Sequence, residues 1–145
     1  MCTSFKTELM TATHNFGTAP VRATGTADTF YGALYLTTAS LGAGTTAYSS
    51  TGEVTGTGYT AGGVAVTNAT APTSSGTTAY WTPSASLTYS SVTLTTAFDT
   101  VLIYNQTQSN KAVSVHTFGS QTITAGTFIL TMPSNTSSTA LLRLA

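Results

Sequence analysis

Threonine fills 35 of the 145 positions of this chain, spread along its whole length rather than gathered in one tract. No other feature constrains the fold as much. Thr is branched at Cβ and stiff at χ1, which favours extended backbone over helix. Its hydroxyl also keeps the solvent face of a sheet wet without using charge. Only 6% of the residues are charged and the formal net charge is zero, whereas an ordinary globular domain is about 25% charged. A chain of this composition is expected to fold as hydroxyl-surfaced β-sheet.

The apolar pattern divides that sheet into pieces. Residues 29–37 (TFYGALYLT) carry apolar groups on both faces, as a strand inside a sandwich does. Residues 59–67 (YTAGGVAVT) read as a strand with a bulge at Gly62-Gly63. Residues 78–82 and 85–89 read as short strands separated by Pro83, and 92–95 as another. The clearest pair is 98–104 with 111–118, a hairpin around the loop 105–110. Ala125-Gly126 marks a turn into a strand over 127–132, and 140–144 is the last strand. The pattern predicts an all-β fold over residues 28–145. It would be an antiparallel β-sandwich of about eight short strands, jelly-roll or immunoglobulin-like. A chain of this length makes one domain and buries about 70% of its unfolded surface, so neither a disulfide nor a metal is needed to hold a core.

Residues 1–27 read differently. A helix is predicted over 4–16, capped by Ser4, with Phe5, Leu9 and Met10 on one face. Residues 17–27 read as an extended arm containing Pro20 and Val21. The helix is too short to be stable alone. It must dock either on another protein or over one end of the sandwich. Phe5, Leu9, Met10, Pro20 and Val21 are the candidate docking residues.

Several function classes are disfavoured. Lys6, Arg22, Lys111 and Arg143 are too scattered to track phosphates, so no nucleic-acid partner is expected. No stretch approaches the ~20 apolar residues of a membrane span. Lys6 and Glu8 interrupt any secretory pattern, so synthesis in the cytoplasm is expected. Cys2 is the only cysteine, which excludes an intramolecular disulfide. Two histidines, His14 and His116, and the carboxylates of Glu8, Asp28, Glu53 and Asp99 show no metal-ligand spacing. There is no Gly-x-Ser-x-Gly elbow and no suggestive carboxylate pair. The expectation is a protein without enzymatic activity, metal or cofactor. Trp81, with Tyr80 and Tyr89 nearby, could stack sugars, but a single Trp in a sandwich is more commonly a core anchor.

The most specific stretch is Gly52-Glu53-Val54-Thr55-Gly56-Thr57-Gly58-Tyr59. Phosphate-binding glycine loops run from a strand into a helix N-terminus, whereas here the chain continues as β. Gly56 and Gly58 are therefore expected to supply positive φ in a tight connection. Tyr59 is expected to start the next strand, and Glu53 to fix the turn.

The order of segments around this octapeptide resembles a family of small virion proteins of tailed bacteriophages. The residues that carry the resemblance are Tyr31-Gly32-Ala33-Leu34-Tyr35, the Glu53-Val54-x-Gly56-x-Gly58-Tyr59 element, Val64-Ala65-Val66, and Tyr80-Trp81. Residues 98–105 and 122–128 follow the same scheme, and the resemblance spans most of residues 28–133. The chain departs from it after Tyr59, where a basic residue is usual and Thr60-Ala61-Gly62-Gly63 stand instead. An ion pair between Glu53 and a basic residue at that place is therefore not carried over by the resemblance. It implies a virion structural protein, with a capsid decoration or cement subunit as the expected role. Such a subunit would sit on the outer shell, with the major capsid protein and copies of itself as partners, in a symmetric homo-oligomer such as a trimer. The alternative is a tail, collar or head-fibre component, or a receptor- or glycan-binding module of the virion.

Overall fold

The computed structural model describes residues 1–10, 13, 14, 16 and 27–145. Among them are one short helix, α1 (Thr3–Met10), and seven strands: β1 (Phe30–Leu36), β2 (Val64–Ala65), β3 (Thr73–Ser75), β4 (Thr78–Trp81), β5 (Leu87–Asn105), β6 (Lys111–Leu130) and β7 (Leu142–Leu144). They form two antiparallel sheets, one in the order β2-β1-β5-β6 and the other β3-β4-β7. The all-β, sandwich-like fold expected from the composition is present. The hairpin around residues 105–110 also lies where the sequence places it.

The strands are fewer and two of them are much longer than predicted. The segments 85–89, 92–95 and 98–104 are one strand, β5, and β6 runs without a break through Ala125-Gly126. The breaks in the apolar pattern are bulges rather than turns. Ser91 and Ala125 take positive φ, 55° and 47°, yet pairing continues on either side of them, with Tyr89 opposite Phe128 and Val92 opposite Gly126. An extra residue on one strand bends and twists the ladder without ending it.

The bent hairpin serves both layers of the core. The C-terminal half of β5 pairs with β1, from Phe30 opposite Asn105 to Leu36 opposite Phe98. Its N-terminal half folds back across the face of β1. The Tyr89 hydroxyl donates to the Gly32 carbonyl at 2.8 Å. A Cβ on Gly32 would lie 2.4 Å from Leu87 Cδ1, so any larger residue would make the Leu87 side chain move. Phe30, Leu34, Leu87, Leu94, Phe98 and Leu102 are all buried at this contact between layers.

The predicted strand over 59–67 is mostly absent. Only Val64–Ala65 pairs with β1, and Tyr59 to Gly63 form turns. Tyr59 therefore does not start a strand. Its side chain is drawn inward by a buried partner described below.

The described part of the N-terminal segment packs into the core of the sheets. Helix α1 is shorter than predicted, and Phe5 is only 1% exposed. Its ring packs on His14 with centroids 4.7 Å apart. Phe16 lies between Phe30 of β1 and Trp81 of β4, at centroid distances of 4.7 and 4.8 Å. These rings close one end of the sandwich, between the two sheets. Of the two docking surfaces open to the helix, Phe5 uses the intramolecular one. Pro20 and Val21 lie outside the described residues, as does the side chain of Met10.

Phe5→Ala should therefore cost about 3–5 kcal/mol of stability, as for other buried Phe truncations. Urea unfolding followed by far-UV circular dichroism checks this. A change within about 0.5 kcal/mol, typical of a surface site, would mean that the helix is not part of the core.

Candidate functional site

The octapeptide 52–59 is stitched to the free edge of β1. Leu36 N–H donates to the Gly52 carbonyl at 2.9 Å, and Val54 N–H donates to the Leu34 carbonyl at 3.0 Å. This places Glu53 opposite Tyr35 in an isolated bridge and turns its side chain into the protein, where the residue is 6% exposed. A buried carboxylate is costly unless hydrogen bonds replace its water. Here Tyr48 O–H donates to Oε2 at 2.7 Å, Tyr59 O–H to Oε1 at 2.8 Å, and Gly62 N–H to Oε1 at 2.7 Å. Among the described residues no Lys or Arg pairs with it.

Each donor ties Glu53 to another part of the fold. The Tyr59 oxygen also accepts the Leu34 N–H at 3.0 Å. It thereby serves an amide on the β1 edge that the two-residue β2 does not reach. The Gly62 carbonyl accepts from Tyr104 O–H at 3.0 Å, so the turn after Tyr59 is held at both its amide and its carbonyl. Tyr48 stacks on Tyr104 at 4.8 Å, and Tyr59 on Tyr89 at 6.1 Å. Tyr35 donates to the Ser49 carbonyl at 2.5 Å. Burial is the main cause that raises the pKa values of these phenols above the ordinary range, and the Glu53 charge adds to it. Tyr35 and Tyr104 are pushed up to about 12.

The two motif glycines do different jobs. Gly58 has φ 78°, as expected of a turn. Gly56 is not among the positive-φ residues. It is needed for space, because a Cβ there would lie 2.0 Å from the Thr93 carbonyl oxygen. Between them Thr57 bridges to Thr93, whose N–H donates to the Thr57 carbonyl at 2.8 Å. The octapeptide thus reaches from the edge of β1 to the bulged half of β5.

A second polar network ties the N-terminal segment to the β5–β6 loop. His14 Nε2 lies 2.8 Å from Glu8 Oε2, and His14 Nδ1 lies 3.0 Å from Asn105 Nδ2. Burial lowers the His14 pKa against the opposing pull of Glu8, so the imidazole is neutral at pH 7. Its tautomer follows from its partners. A carboxylate only accepts, so Nε2 carries the proton, and Nδ1 accepts from the Asn105 amide. Asn105 donates its other proton to Asp28 Oδ2 at 2.8 Å and accepts from Gln108 N–H at 3.1 Å. Lys111 Nζ donates to Glu8 Oε1 at 2.8 Å and brings a cation to the group. Burial alone would raise the Glu8 carboxyl, but the hydrogen bonds from Lys111 and His14 hold it below its usual value.

Neither network contains an activated nucleophile. Cys2 is buried, and burial raises its thiol pKa. His116 pairs with the fully buried Ser114 hydroxyl at 2.9 Å, and burial depresses its pKa to about 4. No group of three or more His, Cys, Asp or Glu that could hold a metal ion occurs among the described residues. Trp81 is 2% exposed, and its indole N–H donates to the Thr70 carbonyl at 2.7 Å. It anchors the core and presents no face on which a sugar could stack. Leu9 is half-buried and lines an apolar groove of about 90 Å³ with Phe16, Trp81 and Leu142.

The sequence singles out Glu53, Gly56, Gly58 and Tyr59, and the structure brings all four to one place. It also adds Tyr48, Gly62, Tyr89 and Tyr104, which come from separate segments and share no spacing that could reveal them. A comparison with known protein families, curated proteins and solved structures finds no match to this chain.

Two outcomes are expected. Glu53→Gln replaces one acceptor oxygen with a donor and leaves buried donors facing it, at about 1–3 kcal/mol for each unpaired group. Urea titration should show the loss, and a destabilisation under about 0.5 kcal/mol would count against a structural carboxylate. Alkali should also unfold the protein. The folded pKa values of Tyr35 and Tyr104, about 12, exceed the ~10 of an unfolded tyrosine. Above pH ~10 the folded state then holds more protons than the unfolded state. Stability should be level between about pH 8 and 10 and fall as pH rises from there through about 12. A melting temperature that stays level from pH 9 to 12 would contradict this.

Proposed function

We propose that this chain is a non-enzymatic structural subunit of a tailed-bacteriophage particle, a decoration or cement protein on the outer shell of the head. One observation carries the reading. The octapeptide that resembles virion proteins is occupied entirely with holding the fold. Every described partner of the Glu53 carboxylate is internal, and the residue is buried away from solvent. A motif used in this way belongs to a rigid building block whose surface does the work. The low charge supports the same role, since a hydroxyl-rich neutral surface packs against other protein without desolvating ions.

The mechanism is mechanical. Each copy bridges neighbouring shell subunits and adds interface free energy that resists the pressure of packaged DNA. A specific contact of this kind buries about 1,600 Å², and repetition over the shell multiplies a modest affinity. The burial of Trp81 favours this reading over a glycan-stacking role.

Quantitative mass spectrometry of purified particles tests the location. A decoration subunit is expected at a copy number comparable to that of the major shell protein. A copy number that is a small fraction of that value would place the chain in the tail, collar or a fibre. Particles lacking the protein should also release DNA at a lower temperature than complete ones, and unchanged release would count against cementing.

A further inference from the structure

Strand β6 is the outer strand of the four-stranded sheet. Its beginning is covered. Ala112 N–H donates to the Thr46 carbonyl, and the Val113 carbonyl accepts Cys2 N–H, both at 3.0 Å. Beyond Val113 no described segment pairs with its outer edge. Sheet edges of this length are ordinarily guarded by charge or proline. Here residues 112–142 contain no Asp, Glu, Lys or Arg, and the strand contains no Pro.

The direction of the backbone along this edge can be worked out. Met132 N–H donates inward, to Ser86 Oγ next to β5, at 3.3 Å. Alternation then turns the N–H and C=O of Thr131, Ile129 and Thr127 outward, while those of Phe128 and Leu130 face β5. The side chains of Thr127, Ile129 and Thr131 are exposed, Ile129 at 57%. Phe128 and Leu130 are half-buried against the core.

The sequence of this stretch, Thr127-Phe128-Ile129-Leu130-Thr131, is nearly the same in both directions. Two antiparallel copies centred on Ile129 set Ile129 against itself, Thr127 against Thr131 and Phe128 against Leu130. Every outward amide then meets an outward carbonyl, and every side chain meets one of similar size and polarity. We propose that two copies of this chain pair through their β6 edges about a two-fold axis at Ile129, joining their sheets into one.

A second copy fits this edge better than a different partner does. The edge offers no charge to recognise a charged peptide, and a second copy brings no charge to be desolvated. A two-fold axis needs a self-complementary patch, and the near-palindrome supplies one. The inference does not depend on the role proposed at a phage head.

Sedimentation equilibrium of the full chain, from low to high micromolar concentration, tests it. The mass should double with concentration. Ile129→Lys would place two ammonium groups opposite each other on the axis, which is destabilising, and association should weaken at least tenfold. The substituted side chain is exposed, so the circular dichroism spectrum should not change. Leu144→Lys, at the other exposed large apolar residue, should associate like the parent chain. Hydrogen exchange at Thr127, Ile129 and Thr131 should slow with concentration in the parent and not in Ile129→Lys. A parent chain that stays monomeric overturns the proposal. So does an Ile129→Lys variant that associates normally, or association lost in Leu144→Lys alone.

Discussion

The Glu53 carboxylate is the interaction on which the rest of the structure most depends. It has to lose its water because residues 52–54 pair with β1 and turn the side chain inward. Once there it needs donors, and the fold provides Tyr48, Tyr59 and the Gly62 amide. Each brings a different segment with it. Tyr59 completes the edge of β1, Gly62 fixes the turn that leads into β2, and Tyr48 stacks on Tyr104 of β5. A basic residue would neutralise the charge with one contact. Three neutral donors instead make the carboxylate a junction between segments, buried away from solvent.

Placing acids inside the fold explains how a chain with four carboxylates keeps so neutral a surface. Glu53 and Asp28 are buried, and Glu8 is held between His14 and Lys111. The usual arrangement, with charges outside and hydroxyls anywhere, is inverted. Threonine and serine take the exposed positions of β5, alternating with Leu87, Tyr89, Val92 and Leu94 on the core side. The polar interior is affordable because its groups are mutually satisfied. His14 is neutral, donates from one nitrogen and accepts at the other, so the chain from Glu8 to Asp28 has no mismatched link.

The fold class was legible in the sequence because Thr content and two-residue alternation act locally. The same is true of the hairpin around 105–110 and of β1. Strand continuity was not legible. Ser90-Ser91 and Ala125-Gly126 have turn composition, and only pairing with the opposite strand makes them bulges. The octapeptide was recognisable as special, but its job was not. Gly56 was expected to serve backbone conformation, whereas it is the close approach of the Thr93 carbonyl, from a distant part of the sequence, that requires it. Long-range hydrogen bonds such as those of Asn105 leave no trace in spacing. Phe5 is intermediate: its apolar face on the helix is visible, and only tertiary structure decides what it covers.

The two edges of the larger sheet determine what self-association can produce. On the far side from β6, strand β2 is two residues long. Past it, the β1 edge is closed by the octapeptide through the Leu36–Gly52 and Val54–Leu34 bonds and the Tyr59 hydroxyl. That side offers almost nothing to pair with. Pairing at β6 about a two-fold axis consumes the other edge in both partners. The joined sheet then ends in two closed edges, and that sheet does not extend beyond two copies. The bulges act in the same direction, since they twist β6 and limit the straight length open to pairing. The Glu53 junction therefore bears on assembly as well as on stability. By sealing the β1 edge, it leaves the larger sheet of this net-neutral, hydroxyl-rich chain the β6 edge at which to add a strand.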